Sequence, residues 1–377
     1  MNFRRCCAVA RKEFLHIRRD VRSLIAALAI PVFLLWLFGY ALTLDVDRIP
    51  VHVYDQDRTP HSREMIERFR GSRYFTVQDA VEDYEAVERA IDRNRVLLGV
   101  AIPRGFGGAL EAGENAAVQL LLDGSDSNTA SIALSYAEAM LQAYAMEVRL
   151  AALRRMGVTR TQPPVEGRLR VWYNEELKSR NYIVPGLIAV ILMILSALMT
   201  SLTIAREWEN GTMEQLLSTP VRPAELLLGK LSAYFAVGMA DVAITLVVGV
   251  FGFHVPLRGN VLLLVATSCI FLIGALCWGI FLSAVTRSQL LAYQLGVITS
   301  FLPAFLLSGF IFSIENMPRV IQAVTYLVPA RYFVAFLNGV FLKGVGWEIL
   351  WAEVSLLAVY TLALFLLASR KMRQKVA

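Results

Sequence analysis

The stretch Asn181–Pro220, NYIVPGLIAVILMILSALMTSLTIAREWENGTMEQLLSTP, decides how the rest of the chain is read. From Asn181 to Ala205 it holds no charged side chain. At about 1.5 Å per helical residue, that length crosses the roughly 30 Å hydrocarbon layer of a bilayer. At Arg206 the character changes at once: Glu207, Glu209 and Glu214 follow, with Gly211 to turn the chain and Pro220 to stop a helix. A spanning helix that opens directly into a compact charged segment marks a membrane protein with a shaped loop at one surface.

Working outward, five more apolar runs of similar length appear. They are Ser23–Leu44, Leu231–Phe253 (broken only by Asp241), Val261–Val285, Leu290–Ile314 and Ile349–Ser369, the last with Glu353 near its start. The chain of 377 residues is 56% hydrophobic and 18% charged, with mean hydropathy +0.52; soluble domains are nearer 45–50% and about 25%. The expectation is a polytopic α-helical membrane protein with six transmembrane helices and both termini on one side.

Lysine and arginine give the orientation. The leader carries Arg4, Arg5, Arg11, Lys12, Arg18, Arg19 and Arg22, and the tail Arg370, Lys371, Arg373 and Lys375. The loop after the second span adds Arg206, Arg222 and Lys230, and that after the fourth Arg287, whereas the opposite short loops hold only Arg258, Arg319, Arg331 and Lys343. Both termini are therefore expected in the cytoplasm, and the formal charge of +6 reads as helix orientation with no nucleic-acid partner. No cleavable signal is expected, because a long charged leader precedes the first apolar run.

The expected layout is a cytoplasmic amphipathic interfacial helix (1–22), first span 23–44, an extracytoplasmic α/β domain (45–180), second span 181–205, a cytoplasmic segment 206–230, and spans at 231–253, 261–285 and 290–314. An extracytoplasmic re-entrant region (315–347), a sixth span (349–369) and a cytoplasmic tail (370–377) complete it. In the leader, Cys7, Ala10, Phe14, Ile17 and Val21 recur at helical steps beside a basic stripe suited to lipid headgroups; the plainer reading is a charged flank of the first span. In 45–180, strands are expected at Val51–Tyr54, Val96–Ile102 and Val118–Leu122, and helices at Ser62–Arg70, Tyr84–Arg93 and Asn128–Met156, with a linker at Thr161–Pro164. Cys6, Cys7, Cys269 and Cys277 all lie outside this segment, so it has no disulfide. Pro318, Pro329, Gly339, Gly344 and Gly346 break the 315–347 region into short helices expected to dip into the outer leaflet, with Pro318, Pro329 and Arg331 as candidate outer-gate residues.

Chemistry is sparse. There is no phosphate-binding Gly-x4-Gly-Lys-Ser/Thr, no HExxH, and His16, His52, His61 and His254 lack metal-ligand spacing. Asp123–Asp126 reads as a turn and helix cap, and Gly105–Gly108 as the opening of a short helix. Asp241, inside a span, is either a proton site or polar substrate contact, or a helix–helix hydrogen bond or water-reached group. In the charged loop, Thr212 and Gln215 have capping-box spacing, which predicts a short helix over Thr212–Leu217 ended before Pro220, and Pro223 suits the first turn of the next. Glu207, Glu209 and Glu214 form the expected acidic side, and Met213, Leu216 and Leu217 the apolar one; the alternative is a solvated connector.

At these residues the chain resembles the permease subunits of ABC-2 type exporters. Their segment after the second span reads Arg-Glu-x-Glu-x-Gly-Thr-x-Glu-Gln-Leu-Leu-x-Thr-Pro, then Glu-Leu-Leu-x-Gly-Lys. Here those positions are Arg206, Glu207, Glu209, Gly211, Thr212, Glu214, Gln215, Leu216, Leu217, Thr219 and Pro220, then Glu225, Leu226, Leu227, Gly229 and Lys230. Asp55–Ser62, Ile102–Phe106, Asn316–Pro318 and Pro329–Tyr332 resemble further family segments, and the layout matches throughout.

The resemblance implies a type V, ABC-2 exporter-like fold in a bacterial inner membrane. It implies a transport subunit with no catalytic residues and no bound cofactor or metal, ATP and Mg being held by a partner ABC ATPase. Glu207, Glu209, Gly211, Thr212, Glu214, Gln215, Leu217 and Pro220 would couple to that ATPase. A second permease copy or paralogue would complete the path, membrane lipid would surround it, and a periplasmic membrane-fusion adaptor is a further expected partner because the large-domain variant is often encoded with one. The cargo implied is drugs or other amphipathic compounds; Phe301, Phe305, Phe310 and Phe312 suit such cargo or ordinary packing. An ion-coupled secondary carrier would show several buried carboxylates and inverted repeats, and Asp241 stands alone without a repeat. A membrane-anchored sensor or scaffold with a ligand-binding outer domain would not need five further spans.

Overall fold

The computed structural model describes residues 3–42, 47–155, 170, 172–174 and 178–373. The linker expected at Thr161–Pro164 and the last residues of the tail lie outside the described residues. The chain divides into two units, Met1–Thr43 with Val171–Ala377, and Leu44–Arg170.

The first unit is helical: α1 (Phe3–Arg19), α2 (Val21–Ala41), and then, after the second unit, α7 (Ser179–Glu209), α8 (Thr212–Leu217), α9 (Pro223–Val247), α10 (Val261–Thr286), α11 (Gln289–Leu306), α12 (Arg319–Thr325), α13 (Pro329–Asn338) and α14 (Trp347–Arg373). Among the described residues, six helices are long and apolar enough to cross a membrane: α2, α7, α9 with its π-helical extension to Gly252, α10, α11 and α14. The fifth run was expected to continue to Ile314; instead α11 ends at Leu306, after Pro303 removes a backbone donor, and Gly309 adopts φ +83°. A bent pair, α12 with α13 and its extension to Lys343, turns by 85°.

Why α7 is the axis follows from its sequence and its neighbours. Of its most apolar window, 78% is buried, against 11% for α2. Lipid chains are as apolar as leucine, so spanning helices associate through close approach and hydrogen bonds. At Gly279 of α10 a β-carbon would lie 2.1 Å from the Thr200 hydroxyl oxygen and 2.2 Å from the Ala197 carbonyl of α7, so only glycine fits. Thr200 Oγ1 donates to the Leu276 carbonyl at 2.9 Å, and Ser283 Oγ accepts from the Ile204 and Ala205 amides at 3.0 and 2.8 Å. On the other side of α10, Thr361 of α14 donates to the Ile270 carbonyl at 3.0 Å.

The second unit is α/β. Its elements are β1 (Ile49–Asp55), α3 (Pro60–Gly71), β2 (Phe75–Ala80), α4 (Tyr84–Asp92), β3 (Leu98–Ile102), α5 (Phe106–Ala112), β4 (Gln119–Leu122) and α6 (Ser127–Arg155). The sheet order is β2-β1-β3-β4, with β1 parallel to both neighbours and β4 antiparallel to β3. Strand β2 was not expected: Phe75-Thr-Val-Gln-Asp-Ala is short and weakly alternating, and pairing with β1 supplies the order its own sequence lacks. Val51, Val53, Leu98, Val100 and Phe69 are fully buried in its core. Asp126 accepts from the Asn128 and Thr129 amides at the start of α6, so the Asp123–Asp126 stretch is a turn and cap.

The loop after β1 is tightly built. Asp55 accepts from the amides of Asp57 and Arg58 at 3.0 Å each and from Ser62 Oγ at 2.7 Å. Asp57 accepts the amides of Gly105 and Gly107 at 2.8 Å each, across at the end of β3. The crevice beyond the carboxyl ends of β1 and β3, where open α/β sheets usually bind a ligand, is thus stitched by the chain's own carboxylate.

Candidate functional site

The charged segment after α7 is held from three directions. Glu207 accepts from Lys12 Nζ at 2.8 Å and Lys230 Nζ at 3.4 Å, and also takes the Thr212 hydroxyl. Lys230, at the start of the third span, is 1% exposed and also pairs with Glu13 of α1 at 2.7 Å. Glu209 accepts the Gln289 amide at 2.7 Å, and Arg287 lies over the Trp208 ring at 4.6 Å, which ties the loop between α10 and α11 to the same end. Arg5 donates to the Pro220 carbonyl. Two cations and two carboxylates therefore join α1, α7 and α9 where they meet.

Helix α8 spans Thr212–Leu217, but its cap differs from the expected one. Gly211, at φ +72°, is the capping residue, and Thr212 is the first helical residue, its hydroxyl turned back to Glu207. With Gly211 as the cap, the helix starts one residue earlier than a Thr212 cap would place it, so the Thr212–Gln215 box does not form. Ser218 and Thr219 close the other end by donating to the carbonyls of Gln215 (2.7 Å) and Leu216 (2.6 Å). The three carboxylates do not share one face: Glu207 turns inward to the lysines, Glu209 holds Gln289, and Glu214 stands exposed. Met213 is buried beneath α8, while Gly211, Glu214, Gln215, Ser218, Thr219 and Pro220 form its outward side.

The leader packs through a face adjacent to the expected stripe. Val9 and Glu13 are buried; Cys7 and Phe14 of the stripe are exposed. At Gly229 a β-carbon would meet Val9 Cβ at 2.6 Å and the Cys6 carbonyl at 3.0 Å, so glycine lets α1 lie directly on α9. Glu13 was not anticipated. Its signal was present: it is the first acidic residue in a strongly basic leader.

Asp241 is 2% exposed on α9, and its Oδ1 has no hydrogen-bond partner among the described residues. Pro329 opens α13 and is buried; Arg331 lies over the Tyr326 ring at 3.8 Å and donates to Thr325 across the elbow of the bent pair; Pro318 is exposed and caps α12. A cavity of about 640 Å³ lies between α7, α10, α11, α14 and this elbow. Met193, Trp278, Ser300, Pro303 and Tyr360 are among the residues lining it, and Trp278 Nε1 donates to Thr299 at 3.1 Å. Phe301, Phe305 and Phe310 instead pack on one another at 5.2 and 6.0 Å between ring centroids. No group of three or more His, Cys, Asp or Glu residues among the described residues could hold a metal ion.

Comparison with known sequences decides the family. The ABC-2 family transporter protein profile matches residues 22–370. The chain belongs to the ABC-2 transporter family. It is 38% identical over 347 residues to the Escherichia coli "Probable multidrug ABC transporter permease YbhS", covering 91% of this chain and 90% of that one. It is 31% identical over 377 residues to the same organism's "Probable multidrug ABC transporter permease YbhR", covering 99% and 100%. The "Inner membrane transport permease YhhJ" of E. coli is 25% identical over 332 residues, covering 87% and 86%. The chain is thus a multi-pass ABC-2 permease, the transport subunit of an ABC exporter.

Proposed function

We propose that this permease forms the path by which drugs or other amphipathic compounds leave the cell, driven by a separate ABC ATPase that binds ATP and Mg and pushes on Arg206–Pro220. The observation that carries this reading is the mechanical one. Helix α8 shows an outward face of Glu214, Gln215 and Pro220, and its root is pinned through Glu207 to Lys12 and Lys230. A push on α8 has no slack to take up before it reaches α7, the most buried span. Gly211, Thr212 and Glu209 fix the angle at which α8 leaves α7.

In this reading both termini and α8 are cytoplasmic, α1 lies along the inner membrane surface, and the α/β unit faces the periplasm of a bacterial inner membrane. The bent pair, with Pro318, Pro329 and Arg331, gates the outer end. The exposed apolar faces of α2, α11 and α14 meet lipid and a second permease, and the α/β unit docks an adaptor. The mixed aromatic and hydroxyl lining of the 640 Å³ cavity (Trp278, Ser300, Tyr360) suits an amphipathic cargo.

The experiment is export in cells with Glu214→Lys and Gly211→Pro, together with co-purification of the ATPase. Both variants are expected to reach the membrane and lose most export, and Glu214→Lys to lose ATPase association. Normal export and normal association in both would overturn the assignment.

A further inference from the structure

A second cavity, of about 170 Å³, lies where α1, α2, α7 and α9 converge. Its lining is graded. His16, Asp20, Ser23 and Arg206 are at one end; Leu24, Ala27, Met199 and Leu202 are at the other. The gradient is set by two helices read in opposite directions. Along α2 the chain passes from Asp20 and Ser23 into Leu24 and Ala27, and along α7 from Met199 and Leu202 out to Arg206. Each change takes about 10 Å of helix, at 1.5 Å per residue, at the end of an apolar span where its flanking charges begin.

The polar end has a defined charge pattern. Arg206 Nη1 lies 3.4 Å from His16 Nε2, and no carboxylate pairs with this arginine among the described residues. Asp20 accepts the Ser23 amide at 3.2 Å and hydroxyl at 2.6 Å, which keeps it ionised and leaves carboxylate lone pairs free. The mouth thus presents one fixed cation with a neighbouring imidazole, and one fixed anion. A ligand that matches it carries a phosphate and a hydrogen-bonding ammonium a short tether apart, and continues into an apolar chain.

We infer that this cavity binds the headgroup of an ethanolamine phospholipid from the surrounding leaflet, phosphate on Arg206 and His16, ammonium on Asp20, with an acyl chain descending past Leu24, Ala27, Met199 and Leu202. The cavity holds a headgroup and not a whole lipid, so the remaining chain lies outside, where Ile25 and Phe33 of α2 are exposed. A glycerol headgroup offers Asp20 neutral hydroxyls in place of a cation, and a quaternary choline has no N–H to donate. The bound lipid would brace α1 one turn from Glu13 and hold Arg206 at the root of the segment on which the ATPase pushes, leaving the outward face of α8 uncovered.

The test is native mass spectrometry of the full chain purified in detergent, titrated with ethanolamine, choline and glycerol phospholipids of identical chains. The wild type should retain the ethanolamine lipid about tenfold more tightly than the others, about 1.4 kcal/mol. Arg206→Gln should lose about tenfold for all three, as expected for one charge-assisted contact. Asp20→Asn should abolish the preference of ethanolamine over choline, and Ala27→Trp, which fills the apolar arm, should displace the bound copy while leaving the protein monodisperse. Equal retention of the three lipids by the wild type, or unchanged retention in Asp20→Asn or Ala27→Trp, would overturn the proposal.

Discussion

Two ion-pair clusters of this protein have similar chemistry and opposite surroundings. Lys230 with Glu13 and Glu207 lies at the junction of α1, α7 and α9, its side chain 2% exposed. Arg68 with Glu64 and Glu147, in the α/β unit, is 31% exposed beside carboxylates that are 53% and 57% exposed. Water already solvates the second set when it is apart, so pairing gains little there. The first set has given up its water, so each member depends on the others, and removing one strands a charge in a place that cannot hydrate it. The difference marks which cluster the packing of the helices depends on and which decorates a surface.

The largest test breaks the buried cluster. Lys230→Met leaves Glu13 and Glu207 with only the half-exposed Lys12 between them and should cost about 3–5 kcal/mol, read as a large fall in the unfolding temperature of the purified permease. Combining it with Glu13→Gln should recover part of that loss; no recovery would show that the pair is not coupled. A buried carboxyl with an oxygen unpartnered among the described residues should behave oppositely. Asp241→Leu, close to Asp in shape, removes a carboxyl whose Oδ1 is orphaned among the described residues and should leave stability unchanged or raise it by about 1–3 kcal/mol, the cost of an unmet buried polar group. A clear loss of stability or of export would assign Asp241 a working role.

The exposed cluster should respond weakly. Arg68→Ala should cost less than about 1 kcal/mol, followed by hydrogen exchange of α3 and α6. Within the same unit, hydrogen bonds from the Thr59 hydroxyl and the Gly105, Gly107 and Phe106 amides hold the Asp57 carboxyl below its ordinary range. A group depressed on folding contributes stability that is present above its unfolded value near pH 3.9 and is lost as pH falls through the folded value. Exchange protection around β1 and β3 should therefore weaken only in acid, and Asp57→Asn should flatten that dependence.

Much of this was legible in the sequence because bilayer physics is one-dimensional. An uncharged run either reaches across the hydrocarbon or does not, so Asn181–Ala205 and its fellows could be read without knowing their neighbours. Gly211 and Pro220 likewise act on their own backbone, which is why the bounds of α8 could be read locally. What only the tertiary structure decided involves partners far apart in the chain. Glu13 meets Lys230 across 217 positions, Asp57 meets Gly105 and Gly107 across 48 and 50, and Glu207 leaves the expected acidic face because two lysines reach it from other helices. A charge's role depends on who desolvates it and who pairs with it, and neither is written in its own neighbourhood.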